Sequence, residues 1–123
     1  MQESILTSIK KLLGIPAEYD NFDVDVIIHI NSALGVLNQL GVGPSEGFSI
    51  TDDTAKWSDF LSDSRKLETV KTYVYLKVRL VFDPPTSSAV IDAITRQISE
   101  LEWRINVTVD PGEKSEEVDQ NGS

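Results

Sequence analysis

The chain has 123 residues and a mass of 13.6 kDa, the size of one ordinary domain with a single core. Its content of 40% hydrophobic and 25% charged residues is typical of a globular protein. The formal net charge of −9 disfavours nucleic-acid binding, which draws its affinity largely from Lys and Arg contacts to phosphates. The absence of cysteine excludes disulfides, zinc–thiolate sites, iron–sulfur clusters and thiol nucleophiles, and a single histidine excludes multi-histidine metal sites.

Apolar runs in the sequence stay well below the roughly 20 residues that a membrane span needs. The first residues carry no apolar segment typical of a secretory signal peptide. We therefore expect a soluble, intracellular protein that needs no cofactor.

Two amphipathic helices are predicted in the first third of the chain. Residues 2–13 carry apolar side chains at helical spacing, and Gly14 and Pro16 end the helix. Asp23 is predicted as the N-cap of the second helix, which ends at Gly41. The apolar stripe of that second helix consists of Val26, Ile30, Ala33, Leu34, Leu37 and Leu40.

A different face of the second helix carries mostly small residues. These residues are Ile28, Ser32, Gly35 and Gln39. Such a face would allow another helix to approach closely. A solvated back face with one stray isoleucine explains it equally well.

Residues 41–56 form a turn-rich loop with three glycines and Pro44, in which Phe48-Ser49-Ile50 alternates as a short strand would. Trp57, Phe60 and Leu61 indicate a short helix. The third long helix is predicted over residues 66–82, capped by Asp63 or Ser64. Its β-branched residues favour a strand, but its length and 3.6-residue spacing favour a helix.

Apolar side chains cover more than half of this third long helix, so we expect it to be central in the bundle. Its two apolar stripes consist of Leu67, Val70, Val74, Val78 and Val81, and of Tyr73, Leu76 and Leu80.

The prolines in Asp83-Pro84-Pro85 break the chain before a fourth main helix. Its apolar face consists of Val90, Ile91, Ile94, Ile98, Leu101 and Ile105. The helical pattern fails beyond Asn106. We therefore predict an all-α bundle over residues 1–106, with four main helices, a short helix and one long loop, and a flexible acidic tail over residues 107–123.

Enzymatic sites are weakly supported. His29 precedes Ser32 by three residues, but no acid stands at a spacing typical of a triad, so a structural histidine is favoured. The acids Asp52, Asp53, Asp59 and Asp63 lack the ligand series of an EF-hand. No metal or catalytic residue is predicted.

Lys71, Tyr75 and Arg79 lie four residues apart on the third long helix and form the best candidate for a DNA recognition face. DNA binding is disfavoured because these few cations belong to an acidic chain and lie on the helix predicted to be most buried. A row that pairs with acids on a neighbouring chain is the favoured interpretation.

Trp103 lies opposite the apolar stripe of its helix, on a face with Arg96, Ser99 and Glu100. An exposed tryptophan beside arginine is typical of protein interfaces, so we expect Trp103 to pack on a partner chain. The alternative is that the tail folds back and Val107 or Val109 covers the ring.

Several segments of the sequence carry a resemblance to a known family. They are Phe22-Asp23-Val24-Asp25, His29-Ile30-Asn31-Ser32-Ala33, Gln39-Leu40-Gly41-Val42-Gly43-Pro44, Val70-Lys71-Thr72-Tyr73-Val74-Tyr75-Leu76-Lys77 and Phe82-Asp83-Pro84-Pro85-Thr86-Ser87-Ser88. In these segments, and from the first helix to about Trp103-Arg104, the chain resembles the head–tail connector (adaptor) proteins of tailed bacteriophages and Gram-positive prophages.

The resemblance implies a non-enzymatic virion protein. Such a subunit assembles as a ring beneath the portal, extends the DNA channel without binding DNA specifically, and presents a surface to the stopper or tail-completion protein. It would act at the head–tail junction, and in the host cytoplasm during assembly. The family typically engages the portal through its C-terminal segment, here residues 106–123, where Val107, Thr108 and Val109 could add as a strand.

A closed ring needs two different faces on each subunit, and the small-residue face and the Trp103 face are candidates. The alternative function is a small acidic helical inhibitor, either a DNA mimic or antitoxin-like. Its acids should cluster on one ordered face, whereas here they are scattered through caps, loops and the tail.

Overall fold

Within the part of the chain that the structure describes, five α-helices follow one another as α1 (Ile5–Leu13), α2 (Asp23–Gln39), α3 (Trp57–Phe60), α4 (Leu67–Phe82) and α5 (Ser88–Val109). The computed structural model describes residues 3–109, with side chains through Val107. A 3-10 turn, Ser64–Lys66, leads into α4. Within the described range the backbone forms no strand and a single isolated antiparallel bridge, between Ser4 and Lys56. The predicted all-α bundle is therefore confirmed.

Helix α4 is the centre of the bundle, as its two apolar stripes predict. It packs against α1, α2 and α5, and its side chains Tyr73, Val74 and Val78 are completely buried. Fully burying a valine-sized side chain contributes roughly 1.5–3 kcal/mol, so this helix carries much of the apolar stabilisation. Val81, predicted in the same stripe, is 61% exposed because it lies in the last turn, where the neighbouring helices no longer cover it.

Helix α1 is fastened to the segment that leads into α3. Ser4 accepts a hydrogen bond from the Thr7 amide as the N-cap, and Gly14 ends the helix in the left-handed region with φ of 84°. The Ile5 amide donates to the Ala55 carbonyl over 2.9 Å. Deeper inside, the Trp57 indole Nε1 donates to Ser8 Oγ over 2.8 Å.

The start of α2 differs from the sequence prediction. Asp23 is the first helical residue rather than the N-cap, and Phe22, in the cap position, makes no side-chain cap hydrogen bond. Asp23 Oδ1 instead lies 2.8 Å from Nζ of Lys10, whose side chain is 3% exposed. The buried ammonium attracts the carboxylate, so Asp23 pairs with α1 instead of capping its own helix.

The short strand that the alternation at Phe48-Ser49-Ile50 would allow does not form. The side-chain amide of Asn31, on α2, donates to the Ile50 carbonyl over 2.9 Å and accepts from the Ile50 amide over 2.7 Å. This side chain satisfies the backbone groups that a neighbouring strand would otherwise have paired. The loop is thereby held against α2, and Ile50 is buried in the core.

Helix α5 runs three residues beyond the predicted boundary at Asn106, so Val107, Thr108 and Val109 are helical rather than extended. It lies at the edge of the bundle against α4. Its buried residues are Ile94, Ile98, Leu101 and Ile105, with 4–7% of each exposed. By contrast, the buried α2 side chains Val26, Ile30 and Leu37 are completely enclosed. The rest of the predicted tail, residues 110–123, lies outside the described residues.

Candidate subunit and partner interface

The outer face of α2 carries the residues predicted to allow close helix approach. Ile28 is 56% exposed, and Ser32 and Gly35 are exposed with it. A Cβ built at Gly35 would meet no atom within 4 Å, so the space outside this turn of helix is open. Among residues 3–109 nothing covers this face, which leaves it available to another protein.

The sequence analysis missed Val24 on this face. It is 71% exposed and lies one turn before Ile28, so the two branched side chains stand side by side. The signal was available as an i, i+4 apolar pair outside the main stripe. A solvated back face readily explains one exposed isoleucine. It explains two adjacent exposed aliphatic residues less well.

The outer face of α5 is exposed around Trp103, as predicted. Trp103 is 68% exposed, and Arg96 and Ser99 are also exposed. Val107 follows Trp103 by one turn and is 41% exposed, so it leaves most of the indole uncovered. The aromatic ring has the exposure that a partner contact requires.

A groove of about 320 Å³ lies where α2 and α5 flank α4. Ser32 of α2 and Ser99 of α5 both line it, so the two predicted faces border one groove. At its side, Tyr73 Oη donates to Glu102 Oε2 over 2.7 Å and joins α4 to α5. Burial, together with this hydrogen bond to a carboxylate, raises the pKa of the Tyr73 phenol well above its usual range.

The polar row on α4 is largely engaged within the chain. Lys71 pairs with Glu3, ahead of α1, and its Nζ lies 3.8 Å from Glu68 Oε2. The Arg79 guanidinium donates to Tyr75 Oη over 3.3 Å. The sequence favours pairing of this row with acids on a neighbouring chain. Lys71 instead pairs with Glu3 of its own chain, because the start of α1 lies beside α4.

The Lys71–Glu3 contact also affects ionisation. The side-chain hydrogen bond from Lys71 lowers the pKa of the Glu3 carboxyl below its ordinary value. All three residues of the predicted recognition row are only partly exposed. They do not form the open basic face that a DNA recognition helix presents to a major groove.

His29 is half-buried between two clefts, one of about 550 Å³ beside Phe82 and the 320 Å³ groove. Among the described residues no acid forms an ion pair with it, and no group of three or more His, Asp or Glu side chains is placed to hold a metal ion. No helix within residues 3–109 is long and apolar enough to cross a bilayer.

Comparison with known proteins identifies the family. The family model of phage connector proteins matches residues 5–112, a range that includes all five helices. Neither the curated proteins nor the solved structures that were compared give a match. The role of this family is structural, at the junction of head and tail in the virion, where its members contact other head and tail proteins. With the match covering the whole helical bundle, the chain belongs to the phage connector protein family.

Proposed function

We propose that this chain is a non-enzymatic subunit of a head–tail connector ring that docks beneath the portal. The ring extends the DNA channel and offers its far side to a stopper or tail-completion protein. The observation that carries the proposal is the connector-family match across every helix of the bundle. The formal charge of −9 supports it, because an acidic channel subunit does not hold the DNA phosphates as the genome passes.

Neighbouring subunits in this ring contact one another through the outer faces of α2 and α5. The exposed aliphatic pair Val24 and Ile28 supports this on one side, and Trp103 supports it on the other. A ring requires each subunit to offer two different surfaces, and these two differ in both shape and residue type. Arg96 and Ser99 lie on the Trp103 face and would contribute polar contacts.

Docking on the portal uses the C-terminal segment from residue 106 onward. Val107 continues α5 as helix, so the portal would receive the end of a helix followed by the tail. Strand addition through Val107, Thr108 and Val109 would require the last helical turn of α5 to unwind, so this segment docks with that turn helical.

The mass of the cognate portal ring, measured by light scattering after gel filtration with and without this chain, tests the proposed function. A stable gain of a whole ring is expected, about twelve subunits or ~160 kDa if the symmetry matches that of the portal. Folded chain that never adds mass to the portal would contradict the connector role and favour the acidic inhibitor.

The variant Trp103→Ala tests the subunit interface in the same assay. Loss of a central aromatic anchor is expected to weaken ring assembly by about 2 kcal/mol or more, roughly 30-fold in affinity. The matched control is Gln97→Ala, an exposed residue of the same helix about 120° around from Trp103. Equal assembly of the two variants would remove Trp103 from the interface and leave the connector role standing.

A further inference from the structure

A cleft of about 380 Å³ opens between the start of α4 and the end of α5. Its floor is apolar, formed by the buried side chains of Val42, Val70 and Ile105. Its rim carries three cationic side chains, those of Arg65, Lys66 and Arg104. We call these six residues the basic cleft.

The rim holds three of the 11 Lys and Arg residues of an acidic chain. Asp63 accepts from the Arg65 guanidinium over 3.2 Å, and Arg104 pairs with Glu100. Lys66 forms no ion pair among the described residues. The Arg65 side chain is 89% exposed, so the rim offers positive charge to a ligand. A ligand for this site should carry carboxylates beside a small apolar group.

Residues 110–123 of the same chain have this chemistry. They contain five acidic residues and one lysine, a formal net charge of −4. Within them, Glu116-Glu117-Val118-Asp119 places one aliphatic side chain among three carboxylates. The valine matches the apolar floor of the basic cleft, and the acids match its rim.

The position of the helix end makes the docking possible. Arg104 and Ile105 lie four to five residues before Val109, about 6–8 Å along the axis of α5. In the sequence that follows, Asp110-Pro111-Gly112-Glu113, Pro and Gly stand in the order that a type II turn favours, and such a turn would reverse the chain direction. Six residues separate Val109 from Glu116, enough chain to return past one turn of helix.

We propose that residues 116–119 of this chain dock into its own basic cleft, with Val118 on the floor and the acids on the rim. The occupant is the chain's own segment because the tail that carries it leaves α5 at Val109, only four to five residues beyond Arg104 and Ile105. Exposed ion pairs are individually weak and screened by salt, so the docking is reversible and salt-dependent. It does not depend on the connector role, and no portal is needed to test it.

Paramagnetic broadening in the full chain tests the docking. The chain has no native cysteine, so a spin label on Gln120→Cys is the only thiol adduct. At 0.01 M salt we expect loss of most amide signal intensity at Thr69 and Val70. The amide of Val81, about 18 Å from Thr69 along α4, should keep its intensity. At 1 M salt, where the Debye length falls from about 30 Å to about 3 Å, the lost signals should return.

Two matched double charge reversals distinguish docking in the basic cleft from nonspecific electrostatic attraction of the tail. Arg65→Glu with Lys66→Glu should abolish the broadening, whereas Lys77→Glu with Arg96→Glu, the same charge change outside the cleft, should keep it. Adding Glu116→Lys and Glu117→Lys to the first variant should restore the broadening. An unchanged amide pattern far from the cleft verifies that each variant is folded.

Three results would overturn the proposal. The first is equal broadening at Thr69 and Val81, and the second is broadening that survives the cleft reversals. The third comes from mixing spin-labelled chain without isotope and isotope-labelled chain without spin label. Broadening of Thr69 in that mixture would assign the occupant to a second copy of the chain.

Discussion

Ser8 is a buried hydroxyl that links two distant parts of the chain. It accepts a hydrogen bond from the Trp57 indole over 2.8 Å and donates to the Ile5 carbonyl over 3.0 Å. Ser8→Ala would leave the completely buried indole N–H without its acceptor. We expect the free energy of unfolding to fall by about 1–3 kcal/mol in urea denaturation. Ser99→Ala, exposed on α5, is the control and should change it by less than about 0.5 kcal/mol.

Lys10 is a buried cation that holds the segment between α1 and α2. Its ammonium donates to the carbonyls of Ala17 over 3.0 Å and Tyr19 over 2.7 Å, and it pairs with Asp23. Lys10→Met would leave the two carbonyls without their donor and the Asp23 carboxylate without its counter-ion. We expect a loss of about 3–5 kcal/mol in the free energy of unfolding, as for other broken buried pairs.

The neighbouring lysine provides the control for this prediction. Lys11 is exposed on the same helix, and Lys11→Met removes the same charge from the same region. Thermal or urea denaturation should separate the two variants clearly. Equal stability of the two variants would show that the ammonium of Lys10 is not what holds this segment.

At the scale of the elements, the Tyr73–Glu102 hydrogen bond makes the α4–α5 contact depend on pH. An unfolded tyrosine ionises near its ordinary pKa of 10.0, whereas the buried phenol keeps its proton to higher pH. The stabilisation is therefore complete below pH 10 and is lost as the pH rises above it. We expect the free energy of unfolding to fall more steeply above about pH 10 in the natural chain than in Tyr73→Phe.

Urea titrations at a series of pH values measure this difference. Tyr75→Phe, on the same helix and only half-buried, is the matched control and should keep the steep fall. Parallel curves for the natural chain and Tyr73→Phe would mean that the phenol ionises equally in both states.

The helices themselves could be predicted because their signals are local. The apolar spacing of α4 identifies its buried face from Leu67 to Val78, since neighbours three and four residues apart share a face whatever lies opposite. The strand at residues 48–50 could not be excluded in this way. The backbone groups of Ile50 form hydrogen bonds with the side chain of Asn31, which lies 19 residues earlier in the chain, so no local pattern indicates this pairing.

The candidate interface could be predicted only in part, because some of it depends on contacts between segments that are distant in the sequence. The exposure of Trp103 follows from its position on the helical wheel and is confirmed. Ser32 and Ser99 line one groove because of the way α2 and α5 pack on α4, which the sequence does not indicate. The ion pair between Glu3 and Lys71 likewise depends on where α1 lies. Burial of Lys10 depends likewise on the path of residues 14–22.

At the scale of the whole molecule, the described chain divides into an enclosed part and a more open edge. Helices α1, α2 and α4 bury side chains completely, whereas the surfaces proposed for assembly and for the tail involve α5. A connector subunit must keep one fold while it meets several partners. Placing the Trp103 face on the edge helix separates this partner contact from the residues that hold the core.

The single row of incompletely enclosed side chains on α5 has a consequence for local unfolding. A helix of 22 residues whose described side chains include four buried apolar groups and one hydrogen bond to α4 should open without unfolding the remaining bundle. We expect the backbone amides of α5 to exchange with deuterium faster than those of α2 and α4, as measured by native-state hydrogen exchange. Equal protection of all three helices would contradict this. If α5 does exchange faster, the helix that carries Trp103 can adjust to a neighbouring subunit by partial opening. The free-energy cost of that opening is below the cost of global unfolding.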